Sequence, residues 1–379
     1  MTTLHLCIAT GQNAANFIPL KQLGAEEVWI LETPDMKKQQ SARALSMALK
    51  SVGSAIGVRV LPFDDSTPKA MQDAAFRLAA EELDGRDVVF HVTGGTKLMV
   101  LAIHQQLANL ESGSGSYRLL YADTQHKNLD WLGQEPRSQR MNDVLTLNEL
   151  LLLRGYRSTN DMRPAKDQQR AATRADVSRF MGDHAAALKG FFGALNFHGR
   201  KAADGENLMR QFDYLPAGKG ATLLKKAQAH GLITVNEAIN CVTFASKEVA
   251  GYFAGGWVEK YVFLKLVGIS RPGMYAMNVQ VEQAQSKSEN EIDAILVKHN
   301  RSLVIECKAK KQDDAQAAIY KLGQVVKQVG GLMSRGLYVS ARAISDADRN
   351  RAREYGIDVL AADQLANINQ YLREWSAGA

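Results

Sequence analysis

The stretch from Ile292 to Lys308 leaves the chain little conformational choice. Asp293 opens the apolar run Ala294-Ile295-Leu296-Val297, the turn-like His299-Asn300-Arg301 follows, and a second apolar run carries Glu306 and Lys308. Two apolar runs of strand length around a short polar turn predict a β-hairpin. Side chains alternate along a strand, so Glu306 and Lys308 share a face with Val304, while Leu303, Ile305 and Cys307 can face a core. With Asp293 on the paired strand, two carboxylates and an ammonium converge.

Those residue types suit phosphodiester cleavage. Hard Mg²⁺ or Mn²⁺ takes carboxylate oxygens and keeps several waters, so Asp293 and Glu306 can hold the ion while phosphate completes its shell. Lys308 can orient or help deprotonate the attacking water and offset charge on the phosphorane. Glu259 is a fourth candidate and a third metal ligand. It is a polar side chain on the mostly apolar, helix-like segment Gly256-Trp257-Val258-Glu259-Lys260-Tyr261-Val262-Phe263-Leu264, just upstream. Glu-x-Lys alone is more often a charged edge-strand pair. Asp293, Glu259 and a following helix with Gln324 and Gln328 shift the balance towards function. The constellation resembles the PD-(D/E)XK nuclease superfamily, with Asp293, Glu306 and Lys308 matching its Asp, Glu and Lys, and Glu259 its helical acid. Ile292 stands where the family's name has a proline.

With 379 residues, 46% of them hydrophobic and 23% charged, the chain has room for two or three soluble globular domains. The formal charge of +6 is uneven: counting along the chain gives −2 for residues 1–156, +5 for 157–250 and +3 for 251–379. The positive charge thus lies in the part that would touch a polyanion. Cys7, Cys241 and Cys307 are odd in number and set in apolar contexts, so they read as buried thiols in a reducing compartment, with no disulfide framework or zinc site. The eight histidines show no ligand spacing with cysteine or each other, and structural roles are expected for them. The start Met1-Thr2-Thr3-Leu4-His5 lacks the features of a signal peptide and no run is long enough to span a membrane, so a cytoplasmic location is expected.

Residues 1–125 alternate short apolar runs (Leu4–Ala9, Val28–Leu31, Val58–Pro62, Val88–Val92, Tyr117–Ala122) with helical periodicity near 35–51, 67–83 and 96–110. This βαβ rhythm predicts a Rossmann-like, mainly parallel, doubly wound sheet, with ligands beyond the carboxyl ends of the strands. Two loops lie there: Thr10-Gly11-Gln12-Asn13 and Thr93-Gly94-Gly95-Thr96-Lys97. Glycines let backbone N–H groups approach an anion, and a helix N-terminus follows the second loop, although tight strand-to-helix turns would have the same composition. Neither loop is a P-loop or a dinucleotide fingerprint, which argues against ATPase and dehydrogenase readings.

The segment His91-Val92-Thr93-Gly94-Gly95-Thr96-Lys97-Leu98-Met99, followed downstream by the nuclease constellation and by Gly255-Gly256-Trp257-Val258-Glu259-Lys260-Tyr261-Val262, resembles the CRISPR-associated Rossmann-fold (CARF) effectors. The similarity is to the single-chain CARF–nuclease group activated by cyclic tetra-adenylate, formerly a domain of unknown function. It implies a homodimer whose two sensor domains share one cyclic oligonucleotide held by Thr10, Gly11, Gln12, Asn13, Thr93, Gly94, Gly95, Thr96 and Lys97. It also implies a metal-dependent endonuclease for DNA and RNA in type III CRISPR defence. Two other readings stay open: a ligand-responsive nucleic-acid-binding regulator with an inactive nuclease fold, and a sensor domain that also cleaves its cyclic ligand.

The expected organisation is α/β: a CARF domain over 1–156, a connector and small winged-helix-like module over 157–250, and a restriction-endonuclease-like domain over 251–379. The run Asn148–Leu153 is a helix or a final strand, and 158–174 is polar and basic, as a connector would be. Amphipathic stretches near 176–197, a break at Pro216–Gly220, a helix near 221–230 and the runs Leu232–Val235 and Cys241–Phe244 suggest the winged-helix-like module. Gly336–Ser340 and Ile357–Leu360 supply further nuclease strands, with helices over 312–334 and 345–355.

Overall fold

A computed structural model describes residues 2–83, 85–110, 116–133, 136–160, 162, 169, 172–283, 289–309, 315–330 and 334–377. Most of the expected connector 158–174, together with Lys310 and Lys311, lies outside the described residues. The chain divides into two compact units, one running to Arg157 and taking in Gln283, the other comprising Ser158–Glu282 and the chain from Glu289 onward. No described helix is long and apolar enough to cross a membrane.

In the first unit, strands β1 (Leu4–Ile8), β2 (Glu27–Glu32), β3 (Gly57–Pro62), β4 (Asp87–His91), β5 (Ser116–Asp123), β6 (Asn128–Leu132) and β7 (Arg137–Arg140) lie in the order β3-β2-β1-β4-β5-β6-β7. The first five pair in parallel, and β6 and β7 add antiparallel. β1 and β2 are apolar runs buried on both faces, as parallel central strands must be. Strand order reverses between β1 and β4, so the loops leaving these two neighbours flank the switch-point crevice of a doubly wound sheet.

Several elements differ from the sequence reading. Helix Ala14–Gln22 escapes periodicity because Pro19 lies inside it. The helical stretch 35–51 is broken at Gln40, whose φ of 53° is left-handed, into Pro34–Lys38 and Ser41–Val52. Of the two readings of 148–153, the helix forms (Leu147–Leu153), fixed by a capping box between Thr146 and Glu149. β6 and β7 were not foreseen.

Two of the histidines meet in the core, in the structural role expected of them. His5 on β1 and His91 on β4, eighty-six positions apart, meet through Nδ1 and Nε2 at 2.9 Å in the buried sheet. Burial, then the Arg118 charge, pushes His5 down to about 4. The folded state therefore holds His5 neutral while the unfolded chain takes up a proton below its ordinary value near 6.5. Stability is full above that pH and is lost between about 6.5 and about 4, by on the order of 3 kcal/mol. Denaturant midpoints measured across this window should fall with acid in the wild type and fall less in His5→Gln. Equal slopes would remove His5 as the cause.

In the second unit, β12 (Tyr275–Gln283), β13 (Glu289–Lys298), β14 (Arg301–Lys308), β15 (Ser334–Ser340) and β16 (Ile357–Ala361) lie in the order β16-β15-β14-β13-β12. The expected hairpin is β13–β14, antiparallel from Lys298↔Arg301 to Ala294↔Ile305. Its two-residue turn, His299-Asn300, has φ of 53° and 58°, the twist-matching geometry of a type I′ turn. β15 and β16 pair in parallel beyond β14. β8 (Tyr156–Ser158) lies where the chain passes between units, and β12 and the amphipathic helix Ile368–Ala377 were not foreseen.

The middle segment has helices Ala175–Asp183 and Ala185–Asp204, β9 (Met209–Gln211), helix Lys219–Ala229 and the hairpin β10 (Ile233–Asn236) and β11 (Cys241–Phe244), with strand order β10-β11-β9. This is winged-helix-like, with a single helix between β9 and the hairpin. Its core is continuous with that of the hairpin sheet: Val177, Phe192 and Phe244 belong to one buried cluster with Trp257, Tyr261, Leu303, Ile305 and Cys307.

Candidate functional site

Alternation along β14 places Leu303, Ile305 and Cys307 in that cluster, as expected, and turns Glu306 and Lys308 to the other side. Where the β13–β14 ladder passes Ala294↔Ile305, the Asp293 side chain takes over: its Oδ2 accepts the Cys307 N–H at 2.7 Å. That bond locks the carboxylate beside Glu306. Lys308 Nζ is ion-paired with Glu306 Oε1 and stands 3.7 Å from Asp293 Oδ2. Glu306 is only 9% exposed. Burial, then the charge of Asp293, holds its carboxyl above the usual range. Lys308 stays charged despite its burial because Glu306 and Asp293 outweigh the desolvation.

Glu259 sits in the first turn of helix Trp257–Val267, whose other side chains are mostly buried. Burial, then Asp293, pushes it up to about 7. It lines a cleft of about 500 Å³ together with Lys308, Cys307 and Arg200. Among the described residues no three His, Cys, Asp or Glu side chains stand close enough to hold one ion. The structure brings Asp293, Glu306 and Lys308 together and sets Glu259 on the wall of the adjoining cleft. Gln324 is half-buried and Gln328 exposed on the following helical segment. The donor chemistry fits a hard divalent cation, because the Asp293 charge bears on both Glu306 and Glu259, crowding that a cation relieves.

The two glycine loops leave the carboxyl ends of β1 and β4, which are hydrogen-bonded neighbours. Gly95, Thr96 and Lys97 are exposed, as are Gly11 and Gln12. Asn13 is buried and scaffolds its loop: its Oδ1 accepts the Thr10 N–H, and its Nδ2 donates to Ser41 at 2.8 and 2.9 Å. Thr93 Oγ1 accepts the Ala122 N–H, and Thr96 Oγ1 caps the next helix through Met99. Gly94 is required by packing, since a Cβ there would lie 2.4 Å from the Ile8 carbonyl oxygen.

Residues 4–150 match the family model described as the Card1 CARF domain, and residues 246–379 match the one described as the Card1-like endonuclease domain. The chain is a CARF protein with a C-terminal Card1-like endonuclease domain. Solved structures share the whole fold. Protein VC1899 from Vibrio cholerae is 21% identical with a TM-score of 0.84, over 99% of this chain and 98% of its own. Can2 from Sulfobacillus thermosulfidooxidans, solved with cyclic tetra-adenylate, is 23% identical with a TM-score of 0.77, over 99% of both chains. A type III CRISPR defence DNA nuclease activated by cyclic oligoadenylate is 19% identical with a TM-score of 0.53, over 91% of this chain and 46% of its own. No curated protein matches the chain.

Within the CARF domain two cations escaped the sequence reading. Arg43 and Arg154 line a cavity of about 260 Å³ beside Thr10 and Gly11, and Arg154 Nη1 donates to the Gly11 carbonyl at 2.6 Å. Neither belongs to a motif. The available signal for Arg154 was its place directly after the apolar run Leu150–Leu153, and Arg43 carried none. Beside Glu259 and Lys308, Arg200 of the middle segment was likewise missed.

Proposed function

We propose that the protein is a cyclic-oligoadenylate-gated, metal-dependent endonuclease acting on DNA and RNA in type III CRISPR defence, with sensing in 1–156, a connecting module in 157–250 and catalysis in 251–379. The observation that carries the reading is the convergence of Asp293, Glu306 and Lys308 inside an endonuclease domain. Mg²⁺ or Mn²⁺, held by Asp293 and Glu306 with Glu259 drawn in from the cleft wall, would supply Lewis-acid polarisation of the phosphate and acidification of water. Asp293 keeps its orientation through the Cys307 amide, so the hairpin backbone positions the acid. Lys308 offers its ammonium to the phosphate oxygens and to the attacking water. The buried surroundings of Glu306 strengthen each of these interactions relative to water.

Gating rests on the two exposed loops at the switch point and on the likeness to Can2, which is solved with cyclic tetra-adenylate. A homodimer would present each loop twice to one symmetric ring. Leu98 and Leu101, 55% and 60% exposed and one turn apart immediately after Lys97, offer an apolar surface for that pairing. A ring that binds one dimer conformation better shifts the population towards it, which is how it would open the cleft.

The test incubates the full chain with Mn²⁺, a panel of cyclic oligoadenylates, and plasmid, single-stranded DNA and RNA. Cleavage is expected only when metal and cyclic tetra-adenylate are both present. Equal cutting without nucleotide would refute gating, and no cutting under any combination would refute the nuclease.

A further inference from the structure

The helix Ala185–Asp204 is fastened to the endonuclease domain at two points. A Cβ on Gly199 would lie 2.8 Å from the Ala250 carbonyl oxygen and 2.9 Å from the Ala254 nitrogen, so glycine there lets the helix lie directly on the backbone leading to the Glu259 helix. One turn earlier the buried Asn196 Nδ2 donates to the Ala309 carbonyl at 2.9 Å, next to Lys308 on β14. Arg200 follows Gly199 and shares a face with Asn196 four positions back. These contacts set Arg200 on the wall of the cleft of about 500 Å³ that Glu259 and Lys308 also line. The backbone of Gly251, Gly255 and Gly256 lines the same cleft.

Arg200 has little to hold it elsewhere. Its ion pair with Asp204 spans 3.4 Å between side chains 61% and 71% exposed, a contact of small energetic weight. A guanidinium is a rigid fork that matches two phosphate oxygens at once. We propose that Arg200 binds a backbone phosphate of the nucleic-acid strand beside the scissile bond, making the middle segment part of the substrate site. The inference rests on the nuclease reading above and extends it to the grip on substrate.

The experiment uses the full chain with Mn²⁺ and cyclic tetra-adenylate, and a fluorescein-labelled single-stranded DNA and its RNA counterpart as probes. Arg200→Ala should raise KM about tenfold on both strands with kcat nearly unchanged. It should also reduce the salt slope of affinity by about 0.7, one phosphate contact on a single strand. Arg200→Lys should recover part of the affinity, since it keeps charge without the fork, and Asp204→Asn should leave KM no higher than wild type. Fluorescence anisotropy on a Glu306→Gln background reads the same affinity loss without turnover. Wild-type KM and salt slope in Arg200→Ala, a loss confined to kcat, or a loss on only one of the two strands would each overturn the proposal. Wild-type cleavage by Glu306→Gln would instead overturn the nuclease reading, whatever Arg200 does.

Discussion

Glu306→Gln and Asp293→Asn should each lower cleavage by about 10³-fold or more while the chain stays folded and still binds cyclic nucleotide. Both substitutions remove a charge and keep the shape. Glu306 is almost fully buried with its carboxyl already held upward by burial and by Asp293, so an amide there relieves that repulsion while leaving Lys308 paired with Asp293 alone. Asp293 has a second duty, accepting the Cys307 N–H. Asn preserves that acceptor. Asp293→Ala orphans a backbone donor inside the hairpin and should cost a further 1–3 kcal/mol or so of stability. Initial rates on plasmid and oligonucleotide, with thermal melts of all three variants, separate the chemical loss from the structural one. Undiminished cutting by Glu306→Gln would end the assignment of the site.

Lys97→Ala and Gly94→Ala should both weaken binding of cyclic tetra-adenylate, for different reasons that a melt distinguishes. Lys97 is exposed at the start of its helix, so truncating it removes one cation per subunit, and affinity should fall about tenfold with the melting temperature unchanged. Gly94 packs against both the Ile8 carbonyl and Thr10 Cγ2, at 2.4 and 3.0 Å from a built Cβ. An alanine there pushes the two loops apart. It should reduce affinity by about 100-fold or more and destabilise the CARF domain by roughly 1–3 kcal/mol. Gly95→Val is a poor probe of ligand approach, because it meets Ile8 at 2.6 Å from a backbone with φ of +79°. Isothermal titration in which Lys97→Ala bound the ring as tightly as wild type would move the sensor elsewhere.

The apolar periods of 292–308 and of the first five strands were legible because each strand encodes its own face: Leu303, Ile305 and Cys307 must go inward if the hairpin forms at all. Turn chemistry was legible for the same local reason, His299-Asn300 closing the hairpin with two left-handed residues. So were Asp293, Glu306 and Lys308 as neighbours, since a hairpin converts short sequence distance directly into contact. Elements whose signal is weak or interrupted were lost. Helix Ala14–Gln22 carries a proline, β9 is three residues long, β6 is short with only Leu129 and Trp131 turned inward, and β7 is exposed throughout.

Only the tertiary structure decided what meets across large separations. No spacing rule connects His5 with His91, Arg154 with Gly11, or Arg200 with Lys308, because each pair is joined by packing between elements far apart in the chain. It also showed what holds the two glycine loops in place. Asn13 and Gly94 both carry structural duties, one buried in a hydrogen-bond network and the other packed against the Ile8 carbonyl. A sequence states which residue types a loop contains. Whether a glycine serves an anion or a neighbouring strand depends on the atom standing a few ångströms away, and close packing settles that only when the whole chain is folded.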